Sequence, residues 1–130
     1  MKSLKLNLFS RVLCAAMLSF GFVLTSFDSN ATDLSGSESA NCYVVSNAGT
    51  YKFKSVKGNS ATSVGSVSSV AVLWESFGTD VEPNVGDLIK SVSYNDGYII
   101  FQTAVTFKEG NAVIAAKDSS GKILWSWHIW

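Results

Sequence analysis

The sequence is poor in residues that several kinds of protein require. Its 130 residues include one Pro, one His and two Cys, and only 15% are charged. One histidine cannot build a histidine-rich metal site, and one proline excludes a proline-rich ligand segment. Ten basic and ten acidic residues give a formal net charge of zero, without the basic excess that nucleic-acid binding requires. The chain is instead apolar, with 47% hydrophobic and 12% aromatic residues, so we expect a folded core, no nucleic-acid partner and no cofactor.

The first residues have the order of features of a secretory signal peptide. Three basic residues open the chain: Lys2, Lys5 and Arg11. An apolar run follows over 12–24, which is shorter than the roughly 20 residues of a membrane-spanning helix. Ser29-Asn30-Ala31 then fits the small-x-small pattern that precedes a cleavage point.

We therefore predict three segments. Residues 1–31 form the signal peptide, 32–40 a flexible polar lead, and 41–130 one domain. The protein is expected to be exported to the periplasm, the cell surface or the medium, with no transmembrane span in its mature form. The mature chain keeps one cysteine, Cys42, which cannot form an intrachain disulfide and is expected to be a small buried hydrophobe.

Beyond residue 40, apolar and polar residues alternate with the period of two that is typical of half-buried strands. The pattern predicts seven strands, over 41–45, 50–56, 70–75, 87–94, 98–103, 111–117 and 122–130, with a weak edge strand over 63–67. The run over 70–75 is apolar on both faces and predicts a central strand; a short helix within 87–92 is the alternative reading there. Asn95-Asp96-Gly97 and 118–121 predict hairpin turns. The expected fold is all-β, a single antiparallel β-sandwich of about seven strands, immunoglobulin-like.

Residues with catalytic chemistry are few. His128 is the only histidine, and no G-x-S-x-G motif accompanies it. Four acids lie close together in the sequence: Glu75, Asp80, Glu82 and Asp87. They could in principle bind Ca²⁺ or act as a hydrolase pair, but no motif supports either role. We expect a solvated acidic loop, no metal site and no enzyme.

Tryptophan is the most unusual feature. Three of the four tryptophans fall within the last six residues. Alternation places Ile123, Trp125, Trp127 and Ile129 on one face of the last strand, which we expect to be core. Leu124, His128 and Trp130 then lie on the opposite face, which is more apolar than a solvated face should be, so either the loop over 57–69 or a partner is expected to cover it.

Several phrases together resemble a known family. They are Ala40-Asn41-Cys42-Tyr43, Val72-Leu73-Trp74-Glu75, Glu109-Gly110-Asn111-Ala112-Val113-Ile114-Ala115 and Ile123-Leu124-Trp125-Ser126-Trp127-His128-Ile129-Trp130. This set is similar to a β-rich module of surface and fimbrillin-like proteins of Bacteroidetes. The resemblance implies an exported, envelope-associated, non-enzymatic module. This chain departs from such pilins because it has no lipobox. In longer members more protein follows the last phrase, so we expect an unpaired edge at the last strand, open to strand addition by a partner.

Two functions follow as hypotheses. The first is adhesion or assembly, by self-association or a protein partner at the last strand. The second is carbohydrate binding by exposed aromatic residues. The candidate contact residues for a partner or a glycan are Trp130, His128, Leu124, Tyr94 and Tyr98.

Overall fold

A computed structural model describes residues 30–130. The chain divides into two units, Met1–Asn30 and Ala31–Trp130, and the account that follows concerns the second. The expected signal peptide lies outside the described residues, except for its last two positions. Within 30–130 there are eight β-strands and no helix, so this part of the chain contains no helix that could cross a membrane.

The first sheet has four strands in the order β1-β3-β6-β5. Its strands are β1 (Thr32–Asp33), β3 (Thr50–Lys54), β5 (Ile89–Asn95) and β6 (Tyr98–Thr103). β6 pairs antiparallel with both β3 and β5, whereas β1 runs parallel to β3. Directly opposed residues share a face of a sheet. Tyr51, Phe101 and Val92 therefore lie on the inner face, and Lys52, Ile100 and Ser93 on the outer face.

The second sheet also has four strands, in the order β2-β8-β7-β4. Its strands are β2 (Cys42–Tyr43), β4 (Ser69–Ser76), β7 (Asn111–Lys117) and β8 (Ile123–Ile129). β7 pairs antiparallel with β4 and β8, and β2 runs parallel to β8.

The two sheets pack against each other through aromatic and aliphatic side chains. Phe53 of the first sheet lies 5.2 Å from Trp127 and 5.0 Å from Tyr43 of the second, measured between ring centroids. Such close aromatic pairs stabilise a core beyond the area they bury. Ile99, Ile114 and Trp127 are essentially inaccessible. The inward positions of both sheets therefore form one shared core.

Both predicted hairpins are present. Asp96 and Gly97 have φ of 47° and 81°, the positive values that a two-residue type I′ turn requires. At the second turn, Gly121 has φ of 84° and its amide donates to the Asp118 carbonyl. Asp-Gly and Ser-Gly pairs in the sequence identify these turns because they tolerate positive φ.

Several expectations about the sheets are wrong. The sheets are mixed rather than purely antiparallel, because the two short strands β1 and β2 pair in parallel. Alternation of side chains reveals a strand but not the direction of its neighbour. β1 lies within the segment 32–40 that was expected to be a flexible lead, where Ser35 is 2% exposed. The weak strand over 63–67 is reduced to a bridge between Val56 and Ser63.

β4 is an edge strand and not the expected central strand. A β-bulge between Val72 and Trp74 shifts its register against β7. The bulge leaves Leu73 exposed and turns Trp74 to the outer face, in line with Val113. The apolar run in the sequence therefore reflects an edge strand with an exposed aromatic residue rather than burial on both faces.

The last strand is neither a free edge nor fully covered. Its C-terminal end pairs with β2, and the Trp130 amide donates to the Tyr43 carbonyl at 2.9 Å. This pairing corrects the expected unpaired edge at that end. Trp127 is 1% exposed and Trp125 packs partly against the core, as expected, but Ile123 is exposed rather than buried. A register shift at Ala116/Lys117 precedes Ile123 and breaks the alternation there.

Candidate functional site

Three aromatic rings form a continuous row on the outer face of the second sheet. Trp74 of β4 and His128 of β8 both oppose Val113 of the intervening strand. The Trp74 ring meets the His128 ring edge-on, with 5.5 Å between centroids, and the centroid of the Trp130 ring lies 4.9 Å from that of His128. Trp74 is 46% exposed and Trp130 52% exposed. We call these three residues the aromatic surface.

His128 is fixed at the centre of this surface. Its Nε2 lies 3.0 Å from Asn111 Oδ1, so the tautomer that carries the proton on Nε2 donates a hydrogen bond to the amide oxygen. Flanked by two indoles and held by an amide, the ring cannot turn freely. Its contacts with the two indoles are those of a packed aromatic side chain.

Cys42 lies beside the aromatic surface and is exposed, contrary to the expected buried position. Its place in edge strand β2, opposite His128, explains the exposure. Partial burial raises the pKa of the thiol, and a hydrogen bond with Trp130 offsets part of that effect. The thiol is therefore protonated at neutral pH, which lowers its reactivity.

A pocket opens at the end of the domain where β4, β6 and β8 finish and β5 and β7 begin. Its volume is about 370 Å³, within the range of small-ligand pockets. Most of its lining is apolar, contributed by Val45, Phe77, Leu88, Ile89, Phe107, Ala112, Ile129 and Trp130. We call this cavity the end pocket. Because Trp130 belongs to both, the aromatic surface continues into the end pocket.

Few polar groups in the end pocket are free to meet a ligand. The Thr103 hydroxyl accepts a hydrogen bond from the Gly49 amide at 2.9 Å. Asn111 Oδ1 is engaged by His128, as described above. Buried polar atoms that are already paired offer little to a ligand rich in hydroxyl groups. The pocket is better suited to an apolar group than to a sugar ring.

Charged side chains stand at the rim of the end pocket. Lys108 Nζ lies 3.6 Å from Asp87 Oδ1 and 5.4 Å from the centre of the Phe77 ring. The second contact is a cation–π interaction, in which the negative face of the ring attracts an ammonium group. Glu109 also lines the pocket. One rim cation is thus already paired, while Glu109 has no cation within salt-bridge distance among the described residues.

The five candidate contact residues do not form one patch. His128 and Trp130 lie together in the aromatic surface. Leu124 is on the same strand but at its far end, next to Gly65 of the loop over 57–69. Tyr94 and Tyr98 belong to the other sheet, where Tyr94 shares the inner face with Ile99, and the ring of Tyr98 lies 4.9 Å from Lys52 Nζ on the outer face.

The loop over 57–69 therefore covers only part of β8. It reaches Leu124 through Gly65, and Lys57 Nζ lies over the Trp125 ring at 5.7 Å. The carbonyl of Val56, just before the loop, accepts a hydrogen bond from Trp127 Nε1. His128 and Trp130, at the other end of the strand, have no such contact among the described residues.

Two of the four acids singled out in the sequence, Glu75 and Asp87, have separate structural roles. Glu75 Oε1 accepts a hydrogen bond from the Ile89 amide at 2.7 Å, which links β4 to β5. Asp87 pairs with Lys108 and accepts from the Asn84 amide. Within residues 30–130 no three His, Cys, Asp or Glu side chains are grouped so as to hold a metal ion.

Sequence reasoning missed most of the end pocket. Phe77 and Phe107 line it from loops to which the sequence assigned no role. A bulky aromatic residue within a polar loop could have indicated the pocket, because exposing such a side chain to water is unfavourable and often marks a binding site. Alternation within strands could not reveal a cavity that is built from four different chain segments.

Comparisons with known proteins give no relative. No protein family, no curated protein and no solved structure matches this chain.

Proposed function

We propose that this chain is an exported, non-enzymatic module of the cell envelope that acts in adhesion or assembly. The observation that carries the proposal is the joined aromatic surface and end pocket. Half-exposed Trp130 lines the apolar cavity, and half-exposed Trp74 extends the aromatic area through its contact with His128. Exposed apolar patches of this kind mark interaction sites, because leaving such side chains in water is unfavourable.

Neighbouring side chains extend this apolar area. Val44 and Val105 are largely exposed, and each lies within two positions of a residue that lines the end pocket, Val45 and Phe107. An apolar pocket with exposed apolar side chains nearby is a common feature of protein-binding hot spots. This arrangement favours a protein partner at the end of the domain.

Export and an immunoglobulin-like fold belong to the same proposal. The resemblance to surface proteins and the ordered basic, apolar and small-residue segments support export. The described unit begins at Ala31, beside the expected cleavage point. Two packed four-stranded sheets are compatible with an immunoglobulin-like sandwich.

The test is binding of the purified protein to an envelope fraction, combined with sedimentation at high protein concentration. We expect either co-sedimentation with envelopes or self-association, and a marked loss of that binding in Trp130→Ala. Ser93→Ala, on the exposed outer face of the other sheet, is the control and should bind normally. A protein that stays monomeric and ignores the envelope fraction would refute the proposal.

Carbohydrate binding is the second candidate, and the half-exposed ring of Trp130 favours it. A flat indole can stack on a sugar ring. A glycan array and the indole NMR signal of Trp130 in titrations with sugars test this alternative. Sugar-dependent movement of that signal would favour carbohydrate binding over a protein partner.

A further inference from the structure

The loops around the end pocket are strongly acidic. Three loops meet at this end of the domain, over 44–49, 77–88 and 104–110. Their charged residues are Asp80, Glu82, Asp87, Glu109 and one base, Lys108, which gives a net charge of −3. The remainder of residues 30–130 carries six Lys and five acids, a net charge of +1. Negative charge is thus concentrated in the loops at this end of the domain, and Glu109 is the acid among them that lines the cavity itself.

The end pocket combines an apolar interior with acidic loops around it. Phe77, Phe107 and Trp130 form apolar walls. A bulky apolar group that displaces water from between them would therefore bind favourably. The single rim cation, Lys108, is engaged by Asp87 and by the Phe77 ring. Glu109 and the exposed face of Trp130 are then available to attract a positive charge, by Coulomb attraction and by cation–π interaction.

We propose that the end pocket binds a basic segment of a partner protein, with a large apolar side chain of that segment filling the cavity. Lysine or arginine residues on either side of this anchor face the acidic loops. The proposal rests on the proposed adhesion or assembly function and specifies its partner. Charge complementarity selects and steers the basic segment, whereas the apolar anchor supplies most of the affinity.

The probe is a capped pentapeptide of one phenylalanine flanked by two lysines on each side. Binding to the full protein is followed through the indole N–H signals of its tryptophans by NMR. Trp130 should shift on titration, while buried Trp127 should not. Replacing the phenylalanine by alanine, or the four lysines by glutamates, should weaken binding about tenfold or more. Binding should also weaken as salt is raised.

Three variants locate the site. Phe107→Ala removes an exposed wall of the pocket and should lower the affinity for the lysine peptide about tenfold. Glu109→Gln should lower this affinity several-fold and make it less dependent on salt. Ile123→Ala is the matched control, because Ile123 is exposed at the opposite end of β8 and does not line the end pocket; it should bind like the wild type.

Several results would overturn the inference. The first is that the glutamate peptide binds as tightly as the lysine peptide, and the second is that Phe107→Ala binds the lysine peptide as tightly as the wild type. The third such result is a Trp130 signal that does not shift when the lysine peptide is added. A shift of Trp130 by sugars but not by the lysine peptide would also overturn it, in favour of a glycan. If Trp130-dependent envelope binding persists while the peptide fails, the proposed function stands and the basic partner is wrong. If the peptide binds but the protein neither assembles nor associates with envelopes, only the pocket assignment stands.

Discussion

Gly97 adopts a backbone conformation that L-amino acids with a side chain rarely tolerate. Its φ is 81°, and a Cβ added there would have no atom within 4 Å. Gly97→Ala should therefore destabilise the protein by conformational strain alone, by about 1 kcal/mol. Urea unfolding measures this cost. Gly97→Asn should recover part of the stability, because Asn accepts positive φ more readily, and an unchanged alanine variant would contradict the type I′ turn.

Trp127 and Trp130 lie three residues apart but have different roles: Trp127 packs in the core, whereas Trp130 is available for binding. Trp127 is buried between the sheets against Phe53, and its Nε1 donates to the Val56 carbonyl. Trp127→Ala should lower the free energy of unfolding by about 3–5 kcal/mol, through lost burial and the cavity left behind. Trp130→Ala should cost about 1 kcal/mol or less, because half of that side chain is already in water. Similar effects of the two variants in urea unfolding would show that this distinction is wrong.

At the scale of an element, β1 completes the edge of the first sheet through a side chain. The Ser35 hydroxyl accepts from the Lys54 amide and donates to Asp33 Oδ1, both at 2.9 Å. The Ser35 hydroxyl thus continues the hydrogen bonding between β1 and β3 beyond the last residue of β1. Ser35→Ala leaves the Lys54 amide without this partner and should cost about 1–3 kcal/mol of unfolding free energy. Ser37→Ala, two positions away and exposed, is the control and should be neutral in the same thermal or urea unfolding experiment.

The β7–β8 turn is organised by one carboxylate. Asp118 Oδ1 accepts from the Ser120 hydroxyl at 2.7 Å and from the Ser120 and Lys122 amides. The hydrogen bond from the Ser120 hydroxyl, followed by that from the Lys122 amide, lowers the pKa of Asp118 below its ordinary value. Ionised Asp118 therefore stabilises the fold above the pKa of an unfolded Asp, about 3.9, and this stabilisation is lost as pH falls through the lowered pKa.

Asp118→Asn should consequently melt below the wild type at neutral pH, and the difference should shrink in strong acid. Melting curves across this pH range test the expectation. Asp80→Asn removes the same charge from an exposed loop and controls for the change in net charge. A difference that is constant with pH would exclude the ionised carboxylate as its source.

At the scale of the whole molecule, the C-terminal residues hold the second sheet together. Ile129 is buried in the shared core, and the Trp130 carbonyl accepts from the Val45 amide while its own amide donates to Tyr43. Deletion of Ile129 and Trp130 should therefore unfold the domain or greatly lower its melting temperature. Trp130→Ala keeps the backbone bonds and should stay folded in circular dichroism. A deletion variant that folds normally would place both residues outside the core.

Sequence alone predicts those features that depend on local chemistry. Alternation identifies strands such as β6 and β7, and Asp96-Gly97 identifies a tight turn. Pairing direction and strand order depend on contacts between distant residues, so the parallel β1 and β2 and the edge position of β4 were not predictable. The candidate functional site likewise combines features that are local in sequence with features that depend on the fold. His128 and Trp130 share a strand face by period alone, whereas Phe77 and Phe107 reach the end pocket only through the fold.

The parallel strand β2 also sets the order in which the protein can fold during synthesis. β2 lies near the start of the domain and pairs with β8 near its end; the Asn41–Trp125 side-chain bond beside them joins residues 84 positions apart. Contacts between residues so distant in sequence form late, because closing a long loop costs entropy before any contact is gained. A nascent chain cannot close its second sheet until its last strand has left the ribosome. Such a delay would postpone completion of the domain and favour passage through a secretion channel, as the export that we propose requires.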